Sequence, residues 1–228
     1  MENDWRSDRF RTFFQALAQR FTVVRYDRVG VGLSDRERAG FSLEHEVADL
    51  SAVLDALGPA PVSLLGISCG APAALTYTRR NPERIERLAL LDTGFHPLKP
   101  GEPEKRAEIV QYAYDHGMQA LADRWLPPMV WSENQKDAEL MAGLNAMVLR
   151  MDPDLHARQI NALVTRPDAS AYLAQIVCPV LLMVGREDQW SPVSQHEEML
   201  AILPDARLRI IEEAGHFAPV ERPECVAT

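Results

Sequence analysis

Gly66-Ile67-Ser68-Cys69-Gly70 is the stretch that decides the fold, because it follows an apolar run at 62–65 and precedes a helical pattern. A serine on a sharp strand-to-helix turn projects its hydroxyl from strained backbone, and such a turn favours small residues two positions away on each side. The following helix would direct free N–H groups at an oxygen that gains negative charge. Ser68 is therefore the candidate nucleophile, although an ordinary glycine-serine turn explains the motif equally well when it is taken alone.

The composition is that of an ordinary globular chain, with 228 residues of which 46% are hydrophobic, enough for one domain or one domain with an insertion. A net charge of −9 without long blocks of like charge disfavours nucleic acid and anionic membranes as partners. No apolar stretch reaches the length of a membrane span and the first residues lack a signal pattern, so the expected compartment is the cytoplasm. Three scattered cysteines predict neither a disulfide framework nor a zinc site.

Short apolar runs alternate with helical patterns, which predicts an α/β protein with a mostly parallel sheet and helices on both faces. The predicted strands lie at 21–27, 62–68, 87–92, 179–185 and 206–212. The predicted helices lie at 9–20, at 43–57 after the capping residue Ser42, at 193–203, and from the serine turn to near Asn81.

The long stretch 96–170 contains no strand pattern and begins with a linker rich in proline and glycine, which predicts an inserted helical cap. The core would then comprise 1–95 and 171–228. Ser132 followed by Gln135 has the pattern of a capping box, which predicts a cap helix that begins there. Four large apolar side chains of the cap could line a substrate pocket, although such residues more often belong to a core: Trp125, Met129, Trp131 and Met141.

A reactive serine needs a base, and the base needs an acid that orients it, each in a loop after a later strand. Asp188 and His216 each follow a predicted strand, so both are expected at the carboxyl edge of the sheet, where sites of open parallel sheets lie. Each residue alone has an ordinary structural explanation, but the order Ser68, Asp188, His216 predicts a catalytic triad. Asp92, after another strand, is the rival acid, and Glu187 is a weaker one. The other histidines form no metal-binding cluster, and no metal or cofactor is expected.

With these residues in place, the chain resembles the α/β-hydrolase superfamily, of the AB hydrolase-1 serine hydrolase type, over nearly its whole length. The resemblance rests on the serine turn, on GREDQWSP at 185–192, on AGHFAPVERPE at 214–224 and on YDRVGVGLS at 26–34. The last is similar to the family's YDxRGxGxS segment, with Val29 where a basic residue is common. We interpret it as a structural turn, since Asp35 occupies the third glycine position of a dinucleotide loop.

The resemblance implies an acyl-enzyme on Ser68, with His216 as general base and then acid, Asp188 fixing its tautomer, and the Cys69 backbone N–H in the oxyanion hole. It implies a small carboxylic ester or related acyl compound as substrate. It also implies that the family's N-terminal strands, with a His-Gly loop that supplies the second oxyanion donor, and the C-terminal helix are incomplete here. Residues 1–5 resemble the segment after that loop, and the lacking strand would lie between 21–27 and the serine strand.

Two alternatives stay open. The chain could be a catalytically silent or truncated hydrolase-fold protein that binds a ligand or partner. It could also use the same triad for carbon-carbon hydrolysis or for cofactor-free perhydrolysis, because pocket shape decides the substrate.

Overall fold

The computed structural model describes residues 8–36 and 41–228, so the segment 1–5 lies outside the described residues. Within the described part of the chain, a four-stranded sheet has the order β1-β2-β3-β4, and each strand is parallel to its neighbour. The strands are β1 (Val62–Ile67), β2 (Ile85–Leu91), β3 (Val180–Gly185) and β4 (Ala206–Ile211). The α/β class and four of the five predicted strands are confirmed. All four carboxyl ends lie on one edge of the sheet.

Helices cover both faces of this sheet, as predicted. They are α1 (Asp8–Ala18), α2 (Leu43–Ala56), α3 (Ala71–Arg80), α4 (Glu102–Trp125), α5 (Ala138–Leu149), α6 (Pro153–Val164), α7 (Val193–Ile202), α8 (Ala218–Glu221) and α9 (Pro223–Ala227). Successive strand residues point to opposite faces. Leu90 accordingly belongs to a core cluster with α2, α3 and α7, whereas its neighbour Leu91 belongs to a cluster with α1, α8 and α9. The predicted cap of α2 is also confirmed, since the Ser42 side chain accepts the N–H of His45.

The predicted strand at 21–27 is wrong. Residues 22–28 form no strand, and among the described residues β1 pairs only with β2. Both segments line an open cleft, with Val24 49% exposed on one side and Leu65 37% exposed on the other. An apolar pattern predicts a local conformation, but a strand also needs a neighbour for its backbone N–H and C=O groups. The cleft lies where the family resemblance places a further strand.

The segment between β2 and β3 is helical, with α4, α5 and α6 and short 3₁₀ turns. The predicted helix start at Ser132 is wrong. Asp137 instead caps α5 by accepting the N–H of Leu140 at 3.0 Å. The Gln135 amide donates to the carbonyl of Pro127 at 2.8 Å, so it is not free to complete a capping box. Asp137, rather than Ser132, is therefore the capping residue of α5.

The large apolar side chains of the cap lie partly in a cleft and partly against a core. Trp125 and Met129 line the cleft that also contains Ser68, whereas Met141 packs against the core of the cap. No helix within residues 8–36 and 41–228 combines the length and the hydropathy that crossing a membrane requires.

Candidate active site

Ser68 lies on a short 3₁₀ turn between β1 and α3, with a backbone φ of 47°, in the left-handed region that non-glycine residues rarely adopt. A Cβ at Gly66 would lie 2.8 Å from the Cα of Ala71, the first residue of α3, so the turn closes only without a side chain there. The same expectation for Gly70 is wrong. Gly70 has a φ of −78°, and open space surrounds the place of a Cβ.

The structure brings the three predicted site residues together in one hydrogen-bonded line. The Oγ of Ser68 lies 2.8 Å from the Nε2 of His216, and the Nδ1 of His216 lies 2.8 Å from the Oδ2 of Asp188. The three side chains come from the carboxyl ends of β1, β4 and β3, which the parallel sheet places on one edge. Asp188 is fully buried, and its Oδ1 accepts the backbone N–H groups of Trp190 at 2.8 Å and Ser191 at 2.9 Å.

These contacts set the charge of Asp188. Burial raises the pKa of the carboxyl. The hydrogen bond and charge of His216 and the two backbone N–H groups lower it by more than burial raises it, so the pKa lies below its usual value. Asp188 is therefore an ionised acceptor at neutral pH. It holds a proton on the Nδ1 of His216, which leaves the Nε2 lone pair directed at the hydroxyl of Ser68.

The two rival acids lie elsewhere. Asp92 is fully buried at the end of β2, and its Oδ1 accepts the N–H of Gly185 at 2.9 Å, so it bonds the backbone of β3 rather than the imidazole. Burial, together with the charge of Asp188, raises the pKa of Asp92 well above its usual value. Glu187 is exposed. Of the three candidate acids, Asp188 is the one that forms a hydrogen bond with His216.

A buried carboxylate that the sequence analysis missed ties the histidine loop to the cap. Glu221 accepts the N–H of Gly215 with Oε1 at 2.8 Å and the N–H of Trp131 with Oε2 at 3.0 Å. The N–H of His216 donates to the carbonyl of Met129 at 2.7 Å. The sequence did contain a signal for this residue, because Glu221 follows the apolar run 217–220 in the histidine loop.

A second missed contact joins the 26–34 segment to Cys69, the residue after Ser68. Arg28 donates to the Sγ of Cys69 at 3.0 Å and forms an ion pair with Glu46 of α2. Burial raises the pKa of the Cys69 thiol, but the charge and the hydrogen bond of Arg28 oppose this rise, and the pKa lies below its usual value. The segment itself is a turn, as interpreted from the sequence, and is closed by the Ser34 hydroxyl, which donates to the carbonyl of Asp27 at 2.6 Å.

Ser68 and His216 line a cleft whose wall is aromatic. The ring centroid of Trp190 lies 6.4 Å from that of His216, and Trp125 lies edge-on to Trp190 at 5.9 Å. Such a wall can hold an apolar group and exclude water from the serine. No group of three or more His, Cys, Asp or Glu side chains in the described ranges is placed to bind a metal ion.

A family model described as "alpha/beta hydrolase fold" matches residues 4–223. The chain belongs to the α/β-hydrolase family. The "Putative carbamate hydrolase RutD" of Caulobacter vibrioides is 30% identical over 226 residues, which cover 92% of this chain and 79% of that protein. The 2-hydroxy-6-oxononadienedioate/2-hydroxy-6-oxononatrienedioate hydrolase of Cupriavidus pinatubonensis is 28% identical, covering 90% of this chain and 73% of that protein.

A solved α/β-hydrolase structure, that of a thermophilic esterase from Thermogutta terrifontis, superposes with a TM-score of 0.89 at 26% identity, over 97% of this chain and 82% of the esterase. The family resemblance, the fold class and the expectation of a hydrolase enzyme are therefore confirmed.

Proposed function

We propose that this α/β-hydrolase cleaves a small carboxylic ester or related acyl compound through an acyl-enzyme on Ser68. The observation that carries the proposal is the continuous line from Ser68 Oγ through both ring nitrogens of His216 to Asp188, with 2.8 Å at each step. A serine hydroxyl becomes a nucleophile when a neutral imidazole within hydrogen-bond reach can take its proton.

Acylation follows from this geometry. The Oγ of Ser68 forms a bond to the substrate carbonyl carbon while its proton passes to the Nε2 of His216, and ionised Asp188 stabilises the imidazolium. The carbonyl oxygen becomes an oxyanion beside the N-terminal end of α3, where the backbone N–H of Cys69 is the proposed donor. The bond to the leaving oxygen then breaks, and His216 gives the proton to that oxygen.

Deacylation repeats these steps with water. His216 removes a proton from a water molecule as the water oxygen bonds to the acyl carbon. The bond to Ser68 breaks, Ser68 recovers its proton from His216, and the carboxylic acid leaves. The names of two relatives, an esterase and a carbamate hydrolase, support this class of acyl cleavage.

Intact-mass labelling with a fluorophosphonate tests the proposal. The wild-type chain is expected to gain one adduct, Ser68→Ala to gain none, and Ser63→Ala to label like the wild type. Ser63 is a matched control because it is an exposed serine on the same strand. A folded, monodisperse wild-type chain that stays unlabelled would contradict the proposal and favour the catalytically silent binding protein.

Carbon-carbon hydrolysis is the second candidate, favoured by the name of the Cupriavidus pinatubonensis relative. The Oγ of Ser68 would then bond to a ketone carbon while His216 takes its proton, and the carbon-carbon bond that breaks would release a carbon leaving group that receives that proton from His216. A panel that sets p-nitrophenyl esters against ring-fission diketones separates the two. A higher kcat/KM for the diketones would replace the ester proposal, and peracid formation in the presence of hydrogen peroxide would identify a perhydrolase.

A further inference from the structure

Thr93 is a buried residue that contacts the serine turn from a neighbouring strand. It lies two residues after the end of β2 and is 3% exposed. Its hydroxyl donates to the backbone carbonyl of Ser68 at 3.2 Å. The proposed chemistry uses the side chain of Ser68 and the N–H of Cys69, and it gives no role to this carbonyl. The carbonyl and that N–H nevertheless belong to one peptide group.

The peptide group between Ser68 and Cys69 couples these two atoms rigidly. It is trans, and its partial double-bond character holds the C=O and the N–H in one plane, pointing in opposite directions. The orientation of the Ser68 carbonyl therefore fixes the direction in which the Cys69 N–H donates. A hydrogen bond to the carbonyl oxygen also polarises the amide, which strengthens the hydrogen bond that its N–H can make.

The orientation of this peptide needs support from outside the turn. Ser68 has a φ of 47°, a strained conformation that persists only where the surrounding structure holds it in place. The N–H of Ala71, the first residue of α3, donates to the Ser68 carbonyl from within the turn itself. The hydroxyl of Thr93 is a second donor to the same oxygen, and it comes from a segment that is distant in sequence.

The backbone of Thr93 is held independently of its hydroxyl. Its N–H donates to the Nε2 of His196 at 3.2 Å, and the Nδ1 of that ring lies 3.3 Å from the carbonyl of Pro192. Burial lowers the pKa of His196, so at neutral pH the uncharged ring accepts at Nε2 and donates at Nδ1. The N–H of the preceding Asp92 donates to the carbonyl of Met183 in β3 at 3.0 Å. Removal of the hydroxyl should therefore leave the backbone of Thr93 in place.

We propose that Thr93 is a positioning residue for the oxyanion hole: its hydroxyl, by donating to the Ser68 carbonyl, directs the Cys69 N–H at the oxygen that gains negative charge. The inference rests on the proposed acyl hydrolysis, which names the donor but not the group that orients it. Loss of the hydroxyl should weaken stabilisation of the oxyanion. The carbonyl of Gly94 lies 3.3 Å from the same hydroxyl, so the measurement must report on the oxyanion hole itself.

A pair of esters that differ in one atom gives such a measurement. In p-nitrophenyl acetate the negative charge develops on oxygen, whereas in its thiono analogue, with C=S in place of C=O, it develops on sulfur. Sulfur is the weaker acceptor, so a well-directed N–H donor favours the oxo ester. The measured quantity is the ratio of kcat/KM for the oxo ester to that for the thiono ester. A general loss of activity, such as displacement of the Ser68 hydroxyl, cancels in this ratio.

Four variants are compared with the wild type. Thr93→Val and Thr93→Ala both lack the hydroxyl, so either can carry the test if the other fails to fold, and Thr93→Ser keeps it. Thr78→Val is the matched control. Thr78 is a buried threonine near the far end of α3, and its hydroxyl donates to the backbone carbonyl of Ala74 at 2.7 Å.

We expect Thr93→Val and Thr93→Ala to lower the oxo-to-thiono ratio by about fivefold, the scale of one hydrogen bond between neutral groups, and Thr93→Ser and Thr78→Val to keep it. A wild-type ratio in either variant without the hydroxyl overturns the inference while ester hydrolysis stands. An equal fall in Thr93→Ser or in Thr78→Val also overturns it, because the effect would then not depend on this hydroxyl. Absence of both hydrolysis and labelling at Ser68 overturns the proposed function and this inference with it.

Discussion

The carboxylate of Glu221 accepts the backbone N–H of Gly215 at 2.8 Å, one residue before the histidine that faces Ser68. The same carboxylate also accepts hydrogen bonds from three other groups, namely the N–H of Phe217, the N–H of Trp131 and the side-chain amide of Asn134. One buried carboxylate thus binds the residues before and after His216 and joins them to the cap. Burial raises the pKa of Glu221, while these four donors oppose that rise.

Glu221→Ala should therefore destabilise the fold and slow the reaction. Four donors would lose a buried acceptor, and we expect a loss of about 3 kcal/mol or more in the free energy of unfolding. Urea unfolding measures that loss, and the rate of fluorophosphonate labelling measures the effect on His216. Glu224→Ala, which changes an exposed glutamate three residues later, is the control. Wild-type stability and labelling in Glu221→Ala would show that the loop does not depend on this carboxylate.

The two buried aspartates at the sheet edge should differ sharply in their effect on turnover. Asp188→Asn would place an amide beside the Nδ1 of His216 and favour the wrong tautomer, so we expect kcat to fall by about four orders of magnitude. Asp92→Asn keeps an oxygen for the N–H of Gly185 and should change kcat by less than about threefold. Steady-state ester hydrolysis compares the two variants. The reverse ranking would make Asp92 the acid that orients the base.

Asp92 should instead control how stability depends on pH. Its pKa is raised in the folded state, so above the unfolded pKa of about 3.9 the unfolded chain gives up a proton that the folded chain keeps. The contribution of Asp92 to stability is complete below that pH and is lost as the pH rises through the folded pKa, by up to about 1.4 kcal/mol per pH unit. Asp92→Asn removes this loss.

Urea unfolding at pH 5 and pH 7 measures the effect. The unfolding free energy of Asp92→Asn minus that of wild type should be more positive at pH 7 than at pH 5, by at least about 1 kcal/mol. An equal difference at both pH values would mean that Asp92 ionises alike in the folded and unfolded chains.

The two glycines of the serine turn should respond differently to alanine. A methyl at Gly66 would approach the backbone of α3 to 2.8 Å, so we expect Gly66→Ala to lower the unfolding free energy by about 2 kcal/mol and to slow labelling of Ser68. Gly70→Ala meets open space at a helical φ and should be neutral or stabilising by about 0.5 kcal/mol. Thermal unfolding and labelling compare the pair. Equal effects would show that the turn adapts to a side chain at Gly66.

The sequence predicted the parts of the site that depend on local order along the chain. Ser68, Asp188 and His216 each follow a strand, and parallel strands bring such loops to one edge, so their meeting needed no knowledge of side-chain packing. The strand at 21–27 could not be predicted correctly, because its formation depends on a neighbour distant in sequence. The role of Glu221 was missed in part for a related reason: two of its partners, Trp131 and Asn134, lie in the cap and reach it only when the cap is folded onto the core.

β1 is one of the two outer strands of the described sheet, and it carries Ser68. Among the described residues no strand pairs with the open side of β1, whereas β2 and β3 are paired on both sides, so we expect β1 to open locally before the sheet as a whole unfolds. Ser68 would then lose its alignment with His216 while most of the molecule is still native. We therefore expect inactivation and global unfolding to be two separate events, with inactivation first.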